Sequence, residues 1–288
     1  MRTQRPAGRS CGPLRSLARM GATFGKAAVS GAVAAAVARG AYRALRARPR
    51  RHWQRTNYAG RTVDLYAGPA VALGAAVGTA VLPLPARTRY AAVLAVLAAG
   101  GCGAYDDLVG ADDPRRGFCA HLGALRDGEV TSGAVKLFGI GAAGLAAGAL
   151  LKERPADRVL AGVVIAGSAH LVNLMDVRPA VAAATVLALG APGLPGALAA
   201  APMGAAAALV ADDLGERTMI GDTGAHALGA ALGVAIVAGR GRAGLVAHAA
   251  GLVAATVYGD RVSRFAQMLS DRRQGPRTRQ HRAAFSPV

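Results

Sequence analysis

Of the 34 basic residues in this 288-residue chain only three are lysine, and the chain contains just two asparagines. So strong a bias makes each residue kept against it worth locating. Asn57, Asn173 and Lys136 all fall at the edges of apolar runs beside other polar residues. Cysteine is scarce as well: Cys11, Cys102 and Cys119 are too few and too scattered for a disulfide framework or a metal knuckle. Aromatic residues make up 4% and charged residues 17%, while hydrophobic residues reach 53%. That balance excludes an ordinary soluble domain, because a chain of this length cannot hide so much apolar sequence inside itself. A bilayer is the expected solvent.

Acids are the minority charge, 16 against 34 basic residues, for a net charge of +18. In a soluble protein this excess would suggest nucleic acid. Here the arginines lie between and beyond the apolar runs, so they are read as topology signals and contacts to anionic membrane lipids, and no nucleic-acid partner is expected. Nine apolar runs are read as membrane spans, at about 21–38, 66–84, 88–104, 134–151, 159–177, 180–195, 197–212, 225–239 and 243–258. Small residues along every run suit close helix packing in lipid. The expected fold is therefore an all-α polytopic integral membrane protein with about nine transmembrane helices.

Residues 1–20 are basic and lack hydrophobic periodicity, which predicts a disordered tail. A basic run before an apolar one also describes a signal peptide, but the arginines between 39 and 51 would oppose translocation. Trp53 to Gly60 is read as an interfacial loop with aromatic anchors. Nine spans place the 39–62, 105–133, 176–179 and 211–224 connections and the C-terminal tail on one face. That face holds most of the arginines, so it is the cytoplasmic face of the cell membrane. It also holds Asp106, Asp107, Asp112, Asp113, Asp176, Asp212, Asp213 and Asp222. The basic N-terminus falls on the other side, a conflict that initiation at Met20 or a loosely held first span would resolve.

The chemistry centres on Met219 to Gly229, where Asp222 sits in a glycine-flanked turn that opens an apolar helix. Gly221 and Gly224 let backbone approach a ligand closely, unpaired N–H groups at the helix start attract phosphate, and Asp222 can hold a hard cation there. The bland alternative is an Asp222 that caps its helix. Asp106 and Asp107 are adjacent, so their side chains diverge by roughly 100° on a helix, and one faces a ligand while the other supports it. Asn173 and Asp176 are three apart, hence on one helix face, and Arg178-Pro179 breaks that helix. Lys136 begins the span that follows the acid-rich 105–133 loop, as a point charge at the depth of lipid phosphates, and His170 is read as a hydrogen-bonded interior histidine. Acids, amide and lysine at one membrane face describe a site for Mg²⁺ and phosphate oxygens. Asp112, Asp113, Asp212 and Asp213 are read as solvated loop acids.

The order Asp106-Asp107, Asn173-Leu174-Met175-Asp176, then Gly221-Asp222-Thr223-Gly224 with Leu228-Gly229 resembles the polyprenyl-phosphate N-acetylhexosamine-1-phosphate transferases, which include phospho-N-acetylmuramoyl-pentapeptide transferase. The similarity spans about residues 53–232. It implies Mg²⁺-dependent transfer of a sugar 1-phosphate from a UDP sugar to a polyprenyl phosphate, with release of UMP. By position, Asp222 resembles the metal ligand, Asp106 and Asp107 the pair that positions or deprotonates the lipid phosphate, and Asp176 with Asn173 the nucleotide and diphosphate side. Lys136 resembles a phosphate contact, while Asn57, Arg178, Thr223 and Gly224 are placed on the substrate side. The implied organisation is a basic tail at 1–20, a transferase-like membrane domain at 21–258 and a basic cytoplasmic tail at 259–288. The implied partners are the lipid phosphate, a nucleotide sugar and membrane lipids, and a homodimer is compatible with the sequence.

Two departures bear on the substrate. Asp176 is followed by Val177-Arg178-Pro179 where the family has Asp-Gly segments, and the family's histidine cluster is replaced by an arginine-rich tail with only His281. A small UDP sugar is therefore expected rather than the peptide-bearing donor of peptidoglycan. A decayed family member acting as a membrane scaffold or lipid carrier is the second reading. The third, an intramembrane aromatic prenyltransferase, rests on Asp106-Asp107 and Asp112-Asp113, but Asp212 to Asp222 does not supply the second Asp-x-x-x-Asp repeat.

Overall fold

The computed structural model describes residues 12–110, 118–191 and 196–274, so Cys11, Asp112, Asp113 and His281 lie outside the described residues. The chain is built of helices, as its richness in strong helix formers demands. In order they are α1 (Gly12–Arg46), α2 (Ala67–Ala80), α3 (Ala86–Val109), α4 (Phe118–Arg126), α5 (Ser132–Leu151), α6 (Pro155–Met175), α7 (Val181–Gly190), α8 (Ala200–Leu214), α9 (Gly221–Gly239), α10 (Arg242–Val257) and α11 (Gly259–Gln274). Local chemistry sets several of the ends. Thr131 caps α5 by accepting the Ala134 N–H at 3.1 Å, Pro155 takes the first position of α6, and Gly110 ends α3.

Among the described residues each of the nine apolar runs has a helix at its centre, but four helices, α3, α5, α6 and α9, are long and apolar enough to cross a membrane. Nine spans are therefore not established. At 10 residues α7 is about 15 Å long, half the thickness of a hydrocarbon core of about 30 Å. Other expectations also change. Helix α1 already begins at Gly12, inside the stretch read as a disordered tail. The segment read as an interfacial loop forms a small antiparallel hairpin, β1 (Gln54–Thr56) with β2 (Thr62–Asp64), in the register Arg55 opposite Val63. Residues 259–274, read as a soluble tail, form α11, which packs on α6 and donates Ser263 Oγ to the Leu174 carbonyl at 2.9 Å.

Helix α9 is the centre of the molecule, with 15 of its 19 residues buried against α2, α3 and α6. Small residues make that possible. A Cβ at Gly233 would lie 2.7 Å from Ile165 Cα on α6, so the two backbones meet where only glycine fits. Helices α1, α2 and α8 form one flank, while α5 packs between α3 and α6 on the other. The C-terminal ends of α3, α6 and α8, the N-terminal ends of α5 and α9, and the hairpin converge at one end of the bundle. That end carries Asp106, Asp107, Lys136, Asp213 and Asp222.

Candidate functional site

The turn before α9 is held from several directions. Thr218, fully buried, donates its hydroxyl to the Asp64 carbonyl at 3.0 Å and accepts the Ala67 N–H at 3.3 Å, and the Met219 N–H donates to the same Asp64 carbonyl at 2.8 Å. Gly221 then adopts φ +60°, a left-handed conformation, with both Asp107 carboxylate oxygens 3.1 Å from where a Cβ would stand. Asp107, on the last turn of α3, accepts the Asp222 N–H at 3.1 Å, the Thr223 N–H at 2.9 Å and the Thr223 hydroxyl at 2.6 Å. This overturns one expectation: the N–H groups of residues 222 and 223 are not unpaired and waiting for phosphate, because a carboxylate from another helix already caps them. Nor does Gly224 lie open to a ligand. A Cβ there would stand 2.9 Å from Val71 Cγ2 and 3.0 Å from Gly68 Cα, so its role is close packing of α9 on α2. Thr223 is likewise buried, with its hydroxyl spent on Asp107.

With Asp107 turned toward the backbone of α9, its neighbour Asp106 points elsewhere, as residues adjacent on a helix must. Lys136 Nζ donates to Asp106 Oδ2 at 2.7 Å and also to Asp222 Oδ2. One ammonium thus bridges carboxylates from α3 and α9. The three side chains keep 19–24% of their surface exposed, so the bridge is reachable from outside. Asp106 Oδ1 and Ser132 Oγ both crowd the Cα of Gly110, where a side chain would collide with them. On the inner side His226 is buried, with Nδ1 2.7 Å from the Asp222 carbonyl, and the half-buried His170 faces it from α6.

Asp176 lies just past the end of α6, with its own N–H bonded to the Asn173 carbonyl at 3.0 Å. Its carboxylate lies beside the Gly221 N–H, which brings it to the same turn as Asp107 and Asp222. Burial, reinforced by Asp213, Asp222 and Asp107, pushes its pKa well above the usual carboxylate range. Asp213 corrects the reading of a solvated loop acid: it is 2% exposed, accepts the Ala180 N–H at 2.9 Å, and is pushed by burial up to about 7. Asp212 is equally far from a solvated acid, being 8% exposed and paired with both Arg39 and Arg217.

Asn57 and Arg178 belong to a second group at this end. Asn57 Oδ1 accepts the Ala59 and Arg61 N–H groups at 3.0 and 2.9 Å, closing the hairpin turn, while Nδ2 donates to Glu216 Oε2 at 2.7 Å. Arg178 stacks over the Tyr58 ring with its Cζ 4.8 Å from the centroid, and Tyr58 in turn donates to Glu216 Oε1 at 3.3 Å. The polar ends of Asn57 are thus used internally, in place of the substrate contact that was expected.

Asp106, Lys136 and Asp222 therefore meet directly, Asp107 and Asp176 join them through the 221–223 backbone, and Asn57, Arg178 and Gly224 do other work. Sequence reasoning missed Asp213 and Glu216. The available signal for Asp213 was its place at the end of an apolar helix, one residue from another acid, which sends the two side chains to different partners. Glu216 gave no comparable signal, since its left-handed φ of 52° is visible only in the fold. Among the described residues no three His, Cys, Asp or Glu side chains are grouped to hold a metal ion. The chain matches no protein-family model and no curated protein.

Proposed function

We propose that this chain is a membrane-embedded transferase that moves a sugar 1-phosphate from a UDP sugar to a polyprenyl phosphate, releasing UMP at the cytoplasmic face of the cell membrane. The observation that carries the proposal is the convergence of Asp106 and Asp222 on a single cation, Lys136, at the partly exposed end of a bundle of long apolar helices. Phosphoryl transfer asks a protein mainly for positioning and charge neutralisation, and a fixed cluster of two carboxylates and an ammonium supplies both.

In the reaction an oxygen of the lipid phosphate attacks the phosphorus that carries the sugar. A new P–O–P linkage forms, the original linkage to the uridine phosphate breaks, and UMP leaves with the bridging oxygen. An alkyl phosphate monoester loses its second proton near pH 6, with a pKa of about 6, so no strong protein base is required. Asp107 is therefore assigned to orientation: it fixes the backbone that presents Asp222. Lys136 lies where it can exchange a carboxylate for a phosphate oxygen, and Asp176, beside the same turn, is assigned with Asn173 to the donor side.

The donor set fits Mg²⁺, because that ion takes one or two carboxylates and fills its other positions with phosphate and water. Asp222 and Asp106 would hold it, and it would neutralise diphosphate oxygens.

One observation favours a second reading, a scaffold or lipid carrier without catalysis: protein groups already satisfy Asp106, Asp107 and Asp222. A single assay separates the two. Purified protein with Mg²⁺, polyprenyl phosphate and a panel of small UDP sugars releases UMP if it is the transferase, whereas no UMP with any donor leaves the scaffold.

A further inference from the structure

Arg39, Arg43 and Arg46 recur at intervals of four and three residues along α1, which stacks them on one side of the helix. With Tyr42, Ala47 and Asp212 they line an open-mouthed cavity of about 450 Å³. The cavity is apart from the Asp106–Lys136–Asp222 cluster and shares no residue with it.

A run of arginines at the end of a helix has an ordinary explanation, since cations there offset the helix dipole. That accounts for Arg43 and Arg46 in the last turn, but not for Arg39 one turn earlier, nor for the cavity the three line together. The arginines are also held in place. Arg39 pairs with Asp212 on α8, Arg46 Nε lies 3.2 Å from Asp64 on β2, and the Arg46 guanidinium stacks over the Tyr42 ring at 5.5 Å. Arg217 approaches Asp212 from its other side at 2.9 Å. Four guanidiniums (Arg39, Arg43, Arg46 and Arg217) thus share two carboxylates (Asp64 and Asp212), which leaves two positive charges in excess. Arg43 is exposed and has no ion pair among the described residues. Beneath the arginines Tyr42 is 2% exposed, and its hydroxyl, sealed from solvent beside Thr218, is left without a well-formed hydrogen bond.

From these observations we infer that the Arg39–Arg43–Arg46 cavity is a second, non-catalytic binding site that takes a phosphate group. Guanidinium forks match phosphate oxygens in pairs, and here two are pre-set by their carboxylate partners while the third is free to close on the ligand. The volume admits a phosphate together with a small headgroup. The mouth lies at the same end of the bundle as the hairpin, where an anionic lipid headgroup or a free phosphate would present the same chemistry.

The test uses the full chain in detergent micelles. Retention of phosphatidylglycerol against phosphatidylcholine is read by native mass spectrometry, with and without inorganic phosphate as competitor. Arg43→Gln is the informative variant because Arg43 supports no other residue; Arg87→Gln, an exposed arginine at the far end of α3, is the control. Phosphatidylglycerol should be preferred, and Arg43→Gln should weaken its binding about tenfold, as the loss of one charge-assisted contact does, with an unchanged melting temperature. Competition by inorganic phosphate identifies the phosphate group as sufficient; retention that resists phosphate but still depends on Arg43 identifies the lipid as the ligand. Equal lipid retention in Arg43→Gln and wild type, or an equal loss in Arg87→Gln, overturns the site. None of these outcomes depends on transferase activity.

Discussion

Asp107 and Thr223 are 116 residues apart, yet the Asp107 carboxylate takes both the backbone N–H and the hydroxyl of Thr223, at 2.9 and 2.6 Å. One helix end thereby caps another. The cap holds a glycine in a left-handed turn and leaves the next residue, Asp222, facing Lys136.

Removal of that cap should be felt in stability first. Asp107→Ala deletes three hydrogen bonds and strips the start of α9, and should cost about 2–4 kcal/mol, one helix cap plus a charge-assisted contact. Asp107→Asn keeps one acceptor oxygen and should fall between. Thermal unfolding in detergent checks the order; an Asp107→Ala melting temperature equal to wild type would show that the cap carries no load.

Lys136 holds Asp106 and Asp222 together against their mutual repulsion. Lys136→Ala should destabilise the protein by about 1–3 kcal/mol, less than a fully buried pair because the three side chains are partly exposed. Mg²⁺ should recover part of that loss, and should raise the melting temperature of the variant more than that of wild type. A variant indifferent to Mg²⁺ argues against a shared cation position.

In the UMP-release assay, Asp222→Asn should lower turnover roughly a hundredfold or more, the cost of losing one preorganised electrostatic group. Its melting temperature should change little, because asparagine still accepts from Lys136. Turnover near wild type would return Asp222 to a purely structural role.

The buried acids predict a pH dependence. An unfolded Asp titrates at about 3.9, whereas Asp213 in the fold is pushed up to about 7 by burial. The folded protein therefore holds more protons than the unfolded chain between those values. This stabilising contribution is fully present below about pH 4 and is lost as pH rises through about 7. Melting temperature should fall over that range, and Asp213→Asn, which keeps an acceptor for Ala180, should flatten the fall. An unchanged slope would show that Asp213 is ionised throughout.

The departures after Asp176 predict substrate choice. The donor pocket should accept a small UDP sugar and not the peptide-bearing nucleotide of peptidoglycan synthesis. Robust UMP release with UDP-N-acetylmuramoyl-pentapeptide, abolished by Asp107→Ala, would contradict this.

Much of the helical architecture could be read from composition and run length alone, because an apolar run rich in helix formers has few other ways to satisfy its backbone. Among the described residues each of the nine runs has a helix at its centre for that reason. Run length could not say which helices face lipid. Helix α9 looks like any other span in sequence, yet it lies at the centre of the bundle, since glycines at 103, 224 and 233 let three neighbours close on its backbone.

Lys136, Asp106 and Asp222 could be singled out one by one, as charges kept at the edges of apolar runs in a chain that avoids lysine. What each carboxylate does was not legible. Asp106 and Asp107 are neighbours of identical chemistry, and only the angle at which α3 meets α9 sends one to Lys136 and the other to the backbone of residues 222 and 223. Asp212 and Asp213 repeat the lesson at the end of α8: one pairs with arginines at the rim, the other is buried against Ala180. Sequence determines which charged groups enter an apolar chain, because their cost in such a chain is intrinsic to the residue. Only tertiary structure decides their partners, because a hydrogen bond depends on angstrom-scale placement that spacing along the chain does not encode.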